Sequence, residues 1–377
     1  MSRALDFNGS MGLGQKLQQL NWGLMILITL VACTGFTALY SAAEGHFDPW
    51  ASKQMIRFAV GMAGMAAIAV VDVRVWHRLA YPAYAVGIVL LVIVEVMGRI
   101  GMGAQRWIDL GFIQLQPSEV MKLALIMALA RYFHSLSIDD IRKIRFLLIP
   151  AFMVLLPMGL EIFQPDLGTA ILTGLGGIGV FFIAGVPMWL FLLGGGLAAA
   201  AIPVAWMFVL HDYQKQRVMT FLDPESDPLG SGYHIMQSKI ALGSGGIGGK
   251  GFLQGSQSHL NFLPEKQTDF IFTLFAEEWG LTGGLFLLTI LGLILLYCGW
   301  IAFRCRHDFG RLLTFGLTIN FSLHVVINIA MVTGLMPVVG VPLPMVSYGG
   351  TSMLAVLAGF GLIMSCSIHR DSKIPRS

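Results

Sequence analysis

The sequence predicts an all-α polytopic membrane protein of about ten transmembrane helices, N-in and C-in. Three observations carry this. Of the 377 residues, 56% are hydrophobic and only 12% charged, where a soluble domain carries roughly 25% charge. The mean hydropathy is +0.74. The apolar residues gather into runs of the roughly 20 residues that cross a bilayer as helix.

Ten such runs follow one another, at about 20–42, 55–72, 77–98, 118–136, 145–163, 167–186, 188–210, 269–303, 311–336 and 346–368. The first follows Lys16 and is long, so it reads as a retained span and not a cleavable signal. The sixth and seventh meet at "AGVP", which leaves room for a hairpin turn only. The eighth exceeds what a bilayer needs and is expected to tilt or project. With the N-terminus inside, the inner loops and tails hold Arg3, Lys16, Arg74, Arg78, Arg131, Arg142, Lys143, Arg145, Arg304, Arg306, Arg311, Arg370, Lys373 and Arg376, which is 14 of the 24 basic residues. That bias sets the orientation. The four cysteines, Cys33, Cys298, Cys305 and Cys366, lie in or beside apolar runs without metal-ligand spacing, which argues against a disulfide or metal framework.

The chain reads as one integral membrane domain over 1–377, with a large extracytoplasmic loop at 211–268 between spans seven and eight. Loops of that length without a role are uncommon. A short amphipathic helix is expected around Tyr233 to Leu242. It breaks at Gly243, Gly245, Gly246, Gly248, Gly249 and Gly251, glycines that suit either a flexible loop or close approach of backbone to a ligand.

Ionisable groups cluster at the outer helix ends: Arg106 beside Trp107 in "GAQRWIDLG", Glu119 and Lys122 in "QPSEVMK", Asp166 in "FQPDLGTA", Asp269, and Ser347 with Tyr348 in "VSYGG". A charge in hydrocarbon is costly and marks function by default, yet each residue also has a structural reading. Glu119 and Lys122, spaced i, i+3, can neutralise one another on one helix face. Asp166 precedes a helix as an N-cap would, and Thr268 or Asp269 could cap the eighth span. Arg106 could snorkel, and Trp107 could belong to an interfacial belt. Asn320, His324 and Asn328 read as interhelical hydrogen-bond partners. Asp269 could equally be a base: a partly desolvated carboxylate balanced by nearby cations accepts a proton. Glu277 lies deeper on the same run, where it could line a cavity, and Glu278 points to nearly the opposite side, toward another helix.

The segment from Asp227 to Gly280, with "QSKIALGSGGIGGKG" and "GSQSHLNFLPEKQTDF" inside it, resembles the large outer loop and following helix of the SEDS family (shape, elongation, division and sporulation). "NIAMVTGLMPVVGVPLPMVSYGGTS" is similar to that family's C-terminal signature, and "GAQRWIDLGFIQLQPSEVMK" and "QPDLGTA" match further segments in order. The likeness covers nearly the whole chain and sits nearer the elongation members than the division members. It implies a peptidoglycan glycosyltransferase of the bacterial cytoplasmic (inner) membrane. Such an enzyme polymerises lipid II into β-1,4 glycan on the outer face, using undecaprenyl-diphosphate-linked glycan as donor. It works with a class B penicillin-binding protein and the elongation machinery, and not with nucleic acid. The resemblance also implies that Asp269 is the essential loop acid, that Glu119 and Lys122 are the membrane-embedded pair, and that Asp166 and Trp107 are functional. Charge for the leaving diphosphate could come from Lys239, Lys250, Arg217 or Arg106, or from a divalent cation such as Mg²⁺. A lipid II flippase is the reading from another class, and Glu277 and His324 are its main support.

Overall fold

Each apolar run forms a helix in the computed structural model, which describes residues 12–97, 99–101, 104–109, 111, 114–208, 210–223, 231–259 and 265–376. Arg3 and the motif residues 224–230 and 260–264 lie outside the described residues. In chain order the elements are α1 (Leu13–Gln18), α2 (Trp22–Ala42), α3 (Ala51–Val70), α4 (Val73–Met97), β1 (Arg99–Gly101), β2 (Ala104–Asp109), β3 (Gln114–Leu115), α5 (Pro117–Ser135) and α6 (Ile138–Ile141). There follow α7 (Ile144–Phe163), α8 (Leu167–Ala184), α9 (Met188–Phe208), α10 (Asp212–Leu222), α11 (Ser231–Ser244), α12 (Ser256–His259), α13 (Ile271–Arg304), α14 (Asp308–Val332) and α15 (Gly350–Ile368).

Among the described residues, nine helices are long and apolar enough to span a membrane: α2, α3, α4, α7, α8, α9, α13, α14 and α15. The expected fourth span is α5. It carries Glu119, Lys122 and Arg131 and is less apolar, but 14 of its 19 residues are buried. Its charges are sheltered by protein, not lipid. With α14 it forms the centre of the bundle, the two packing on each other and both on α8 and α15. In contrast α9 fully buries none of its residues and touches the bundle near its start, where Phe191 meets Phe182 of α8.

Three local features differ from the sequence expectation. The connection between α4 and α5 is a small antiparallel meander, β1–β2–β3, so the fold is not purely helical. The segment "QRWID" does not alternate polar and apolar residues, and five residues are too few to separate strand from loop by periodicity. Next, α13 is not continuous. Gly280 has φ 67° and ψ −164°, so a largely buried helical segment up to Trp279 precedes the span proper. Last, the N-cap of α13 is Phe270, and no side chain caps it, so Thr268 and Asp269 are not caps. Thr268 instead donates to Glu265.

The glycine stretch explains the break. Leu281 N donates to Gly246 O and Thr282 N to Ile247 O, while Lys250 N and Gly251 N donate to the carbonyls of Glu277 and Glu278. A Cβ on Gly245 would collide with Ala276 O, one on Gly249 with Glu278 O, and one on Gly280 with Gly249 N. Gly249 and Gly280 also have positive φ, of 80° and 67°, which disfavours any other residue. These glycines permit close approach to the chain's own backbone. The loop is clamped against α13 rather than flexible.

The two ends of the bundle differ in character. At one end Lys16 donates to Val70 O, Arg131 to the carbonyls of His77 and Arg78, and Arg376 to Asp308. These are basic residues that the sequence assigns to inner loops and tails. The other end gathers the acidic and aromatic motif residues.

Candidate active site

Asp269 stands two residues before α13, in a turn held from several sides. Asn328, on α14, donates from Nδ2 to Asp269 O at 3.0 Å and to Val341 O at 2.7 Å. Ser347 donates from Oγ to Thr268 O at 2.6 Å and accepts from Leu343 N at 2.8 Å. Tyr348 N donates to Gln267 O at 2.8 Å. The turn is thus held at three consecutive residues, Gln267 and Thr268 by the 338–349 segment and Asp269 by Asn328 of α14. The carboxylate faces Gly340, where a Cβ would lie 3.5 Å from Asp269 Oδ2. Burial pushes the Asp269 carboxyl up to about 6; the Glu265 carboxylate adds to the rise, and Arg217 and Arg106 oppose it.

Asp166 fills both of its expected places. It accepts from Thr169 N at 3.3 Å as the N-cap of α8, and its Oδ2 pairs with Arg106 Nε at 3.1 Å. Arg106, on β2, is therefore anchored rather than snorkelling. Trp107, beside it, lines a cleft of about 340 Å³ with Arg57, Asp109, Gly111, Gln114, Thr268, Tyr348, Gly349 and Gly350. Thr268 connects this cleft to Asp269.

Glu119 and Lys122 pair at 2.7 Å while buried. Lys122 Nζ also lies 2.9 Å from His324 Nε2, and His324 Nδ1 lies 2.8 Å from Asn320 O. A carbonyl can only accept, so Nδ1 carries the proton and Nε2 accepts from Lys122. His324 is therefore neutral and joins α14 to α5, as an interhelical partner should. Ser238 binds Thr273 and Val332 O and holds α11 between α13 and α14.

The remaining predicted residues lie elsewhere. Glu277 is fully buried and accepts from Lys250 Nζ at 2.7 Å and from Gln257 N at 2.9 Å. It fastens the glycine loop rather than lining the cleft, and it engages one of the candidate diphosphate cations. Glu278 bonds Ser41 of α2, which is the contact with another helix that its direction implied. Lys239 is exposed, with its chain packed over Gly334. Arg217 donates to Val338 O at 3.2 Å. Among the described residues no group of three or more His, Cys, Asp or Glu side chains is placed to hold a metal ion.

The model of the FtsW/RodA/SpoVE cell cycle proteins matches residues 15–372. The chain belongs to this family. It is 45% identical over 347 residues to the peptidoglycan glycosyltransferase MrdB of Escherichia coli K12, covering 92% of this chain and 93% of that one. It is 32% identical to the peptidoglycan glycosyltransferase RodA of Treponema pallidum, covering 92% and 97%. Among solved structures it is similar to a peptidoglycan synthase complex that coordinates polymerization and crosslinking, with a TM-score of 0.82 at 34% identity over 94% of this chain and 99% of that one. The rod-shape-determining protein RodA of Thermus thermophilus matches with a TM-score of 0.72 at 30% identity over 94% and 98%. Family membership and the polytopic helical fold agree with the motif resemblance.

Two residues of the site escaped sequence reasoning. Asn328 reads as ordinary interhelical glue, yet it holds the backbone of Asp269. Arg57 sits in "MIRFAV" near the start of an apolar run. An arginine there is itself a signal, but short-range pattern gives it no partner.

Proposed function

We propose that this protein is a peptidoglycan glycosyltransferase of the bacterial cytoplasmic membrane that polymerises lipid II during elongation, with its active site on the outer face. The observation that carries the reading is the Asp269 turn. A partly buried carboxylate is fixed by Asn328 and Ser347 at the charged end of the bundle, with two arginines near it and a cleft alongside. The 45% identity to a curated glycosyltransferase and the likeness to a synthase complex support it.

In this mechanism the acceptor GlcNAc 4-hydroxyl attacks C1 of the donor MurNAc. The C1–O bond to the lipid diphosphate breaks, the β-1,4 bond forms, and Asp269 takes the hydroxyl proton. One displacement inverts the α-linked donor, so a single base suffices. A carboxyl near pKa 6 is ionised at neutral pH yet basic enough to accept the proton. Positive charge must meet the leaving diphosphate. Arg106 and Arg217 act on Asp269 itself, and Lys250 is committed to Glu277. A divalent cation such as Mg²⁺ would supply further charge to the diphosphate if bound with it. Glu119, Lys122 and His324 shape the bundle beneath the site. A class B penicillin-binding protein is the proposed partner that crosslinks the product.

The test is conversion of labelled lipid II to a glycan ladder by the purified protein with its transpeptidase partner. Asp269→Ala should abolish the ladder without loss of folding or partner binding. The flippase reading is weaker because both of its residues are engaged otherwise, Glu277 with the loop and His324 with Lys122. Lipid II accessibility in proteoliposomes, measured beside the ladder, separates the two.

A further inference from the structure

We propose that Arg57 is the anion-binding residue of the cleft beside Asp269, and that it takes the diphosphate of a polyprenyl-diphosphate-linked sugar. The inference rests on the glycosyltransferase reading, which leaves the cation for the leaving group open.

The argument begins with partners. A buried guanidinium nitrogen normally finds an acceptor, and one without is costly. Arg57 Nη1 is buried and has no hydrogen-bond partner in the protein. The guanidinium is located instead by packing: its Cζ lies 4.9 Å from the centroid of the Tyr348 ring, and it abuts Gly350, where a Cβ would come within 3.3 Å of Cζ. Cation–π contact holds a charge in place without using its N–H donors. The donors of the planar guanidinium remain available to a bidentate oxyanion such as a phosphate.

The surroundings repeat the pattern. Gln54, one turn earlier on α3, uses Nε2 to hold Ser347 O at 2.9 Å, but its Oε1 has no partner, and neither has Thr351 Oγ1 on α15. Both residues are buried, at 0% and 4% exposure. Of these unpartnered atoms, where α3 meets the start of α15, Arg57 Nη1 and the Thr351 hydroxyl can donate to an anion, whereas Gln54 Oε1 only accepts. The N-terminus of α15 has Gly349 as N-cap and no side-chain cap, so its amides and dipole add to the positive field. Asp109, the one carboxylate among the named cleft residues, accepts from its neighbour Gly111 N at 2.8 Å.

The placement suits a lipid-linked diphosphate. Arg57 is the seventh residue of a spanning helix, α3, so the cleft reaches below the helix end where a lipid headgroup enters. Thr268 joins the cleft floor to the Asp269 turn, and Trp107 and Tyr348 offer aromatic faces for the attached sugar.

The test is binding of undecaprenyl diphosphate to the full-length protein in phosphatidylcholine nanodiscs, for wild type, Arg57→Gln and Arg57→Lys. Loss of a charge-assisted bidentate contact should weaken binding roughly tenfold or more in Arg57→Gln. Arg57→Lys should fall between, since lysine keeps the charge and loses the fork. Excess phosphatidylglycerol should not displace the probe. The thermal midpoint of Arg57→Gln should stay close to wild type, because only the cation–π contact with Tyr348 and no internal hydrogen bond is lost. Equal affinity in wild type and Arg57→Gln would overturn the proposal, and so would displacement by phosphatidylglycerol, which marks a general phospholipid site. Should Arg57→Gln not fold, wild-type affinity in Arg57→Lys overturns it instead. No turnover is needed, so a wild-type protein that binds the probe but makes no ladder refutes the enzyme reading alone.

Discussion

Replacing Asp269 by asparagine separates what the residue does for the reaction from what it costs the fold. Its carboxyl is pushed up to about 6 from 3.8, and each pKa unit corresponds to 1.36 kcal/mol. The folded state prefers the protonated form. Stability from this group is therefore complete below the unfolded pKa, falls as pH rises toward 6, and stays reduced above it. At pH 7.5 the ionised carboxylate costs about 1–3 kcal/mol, the lower bound allowing for its partial exposure. Asp269→Asn should be more stable than wild type by up to that amount at pH 7.5, and the difference should vanish near pH 4. The same variant should make no glycan ladder. Wild-type polymerisation should fall through an apparent pKa near 6 on the acid side, reaching about a tenth of its plateau at pH 5. Thermal unfolding in detergent at several pH values, run beside the ladder assay, reads both effects. An Asp269→Asn protein that polymerises fully would refute the base assignment. One less stable than wild type at pH 7.5 would refute the electrostatic account of the turn.

Four further outcomes are expected. Asn328→Ala orphans the carbonyls of Asp269 and Val341 and should cost about 2–4 kcal/mol, with a loss in ladder yield that exceeds any loss of folded protein. Gly249→Ala places a methyl against Glu278 O at positive φ and should cost roughly 2–4 kcal/mol; limited proteolysis should then cut the 245–257 loop. Lys122→Met leaves Glu119 and His324 buried without their shared cation and should cost about 3–5 kcal/mol. Partial recovery of activity on exchanging Glu119 and Lys122 marks a structural pair, and thermal midpoints with ladder yields decide it. Asp166→Asn should release Arg106 and lower ladder yield, and the acid limb of the pH profile should then fall below 6, because Arg106 no longer shares its charge with Asp166 and lowers the Asp269 carboxyl further.

The chain's own pattern determined the helical membrane architecture, because hydropathy is local: every run long enough to span became a long helix within a few residues of its predicted limits. Spacing was enough for Glu119 and Lys122, which are neighbours on one helix, and for Asp166, whose cap is three residues away. Direction along a helix was enough to send Glu278 toward another span. Tertiary structure alone decided the rest. Glu277 looked like a cavity residue until the glycine loop folded back, 27 residues removed, to bring Lys250 to it. Asp269 read as a cap or a base until its turn was tied to residues about 60 and 80 positions away through Asn328 and Ser347. Arg57 met Tyr348 across almost the whole chain. Periodicity reports which face of a helix is apolar, but it carries no information about which distant backbone will approach, and a buried polar group takes its role from that partner.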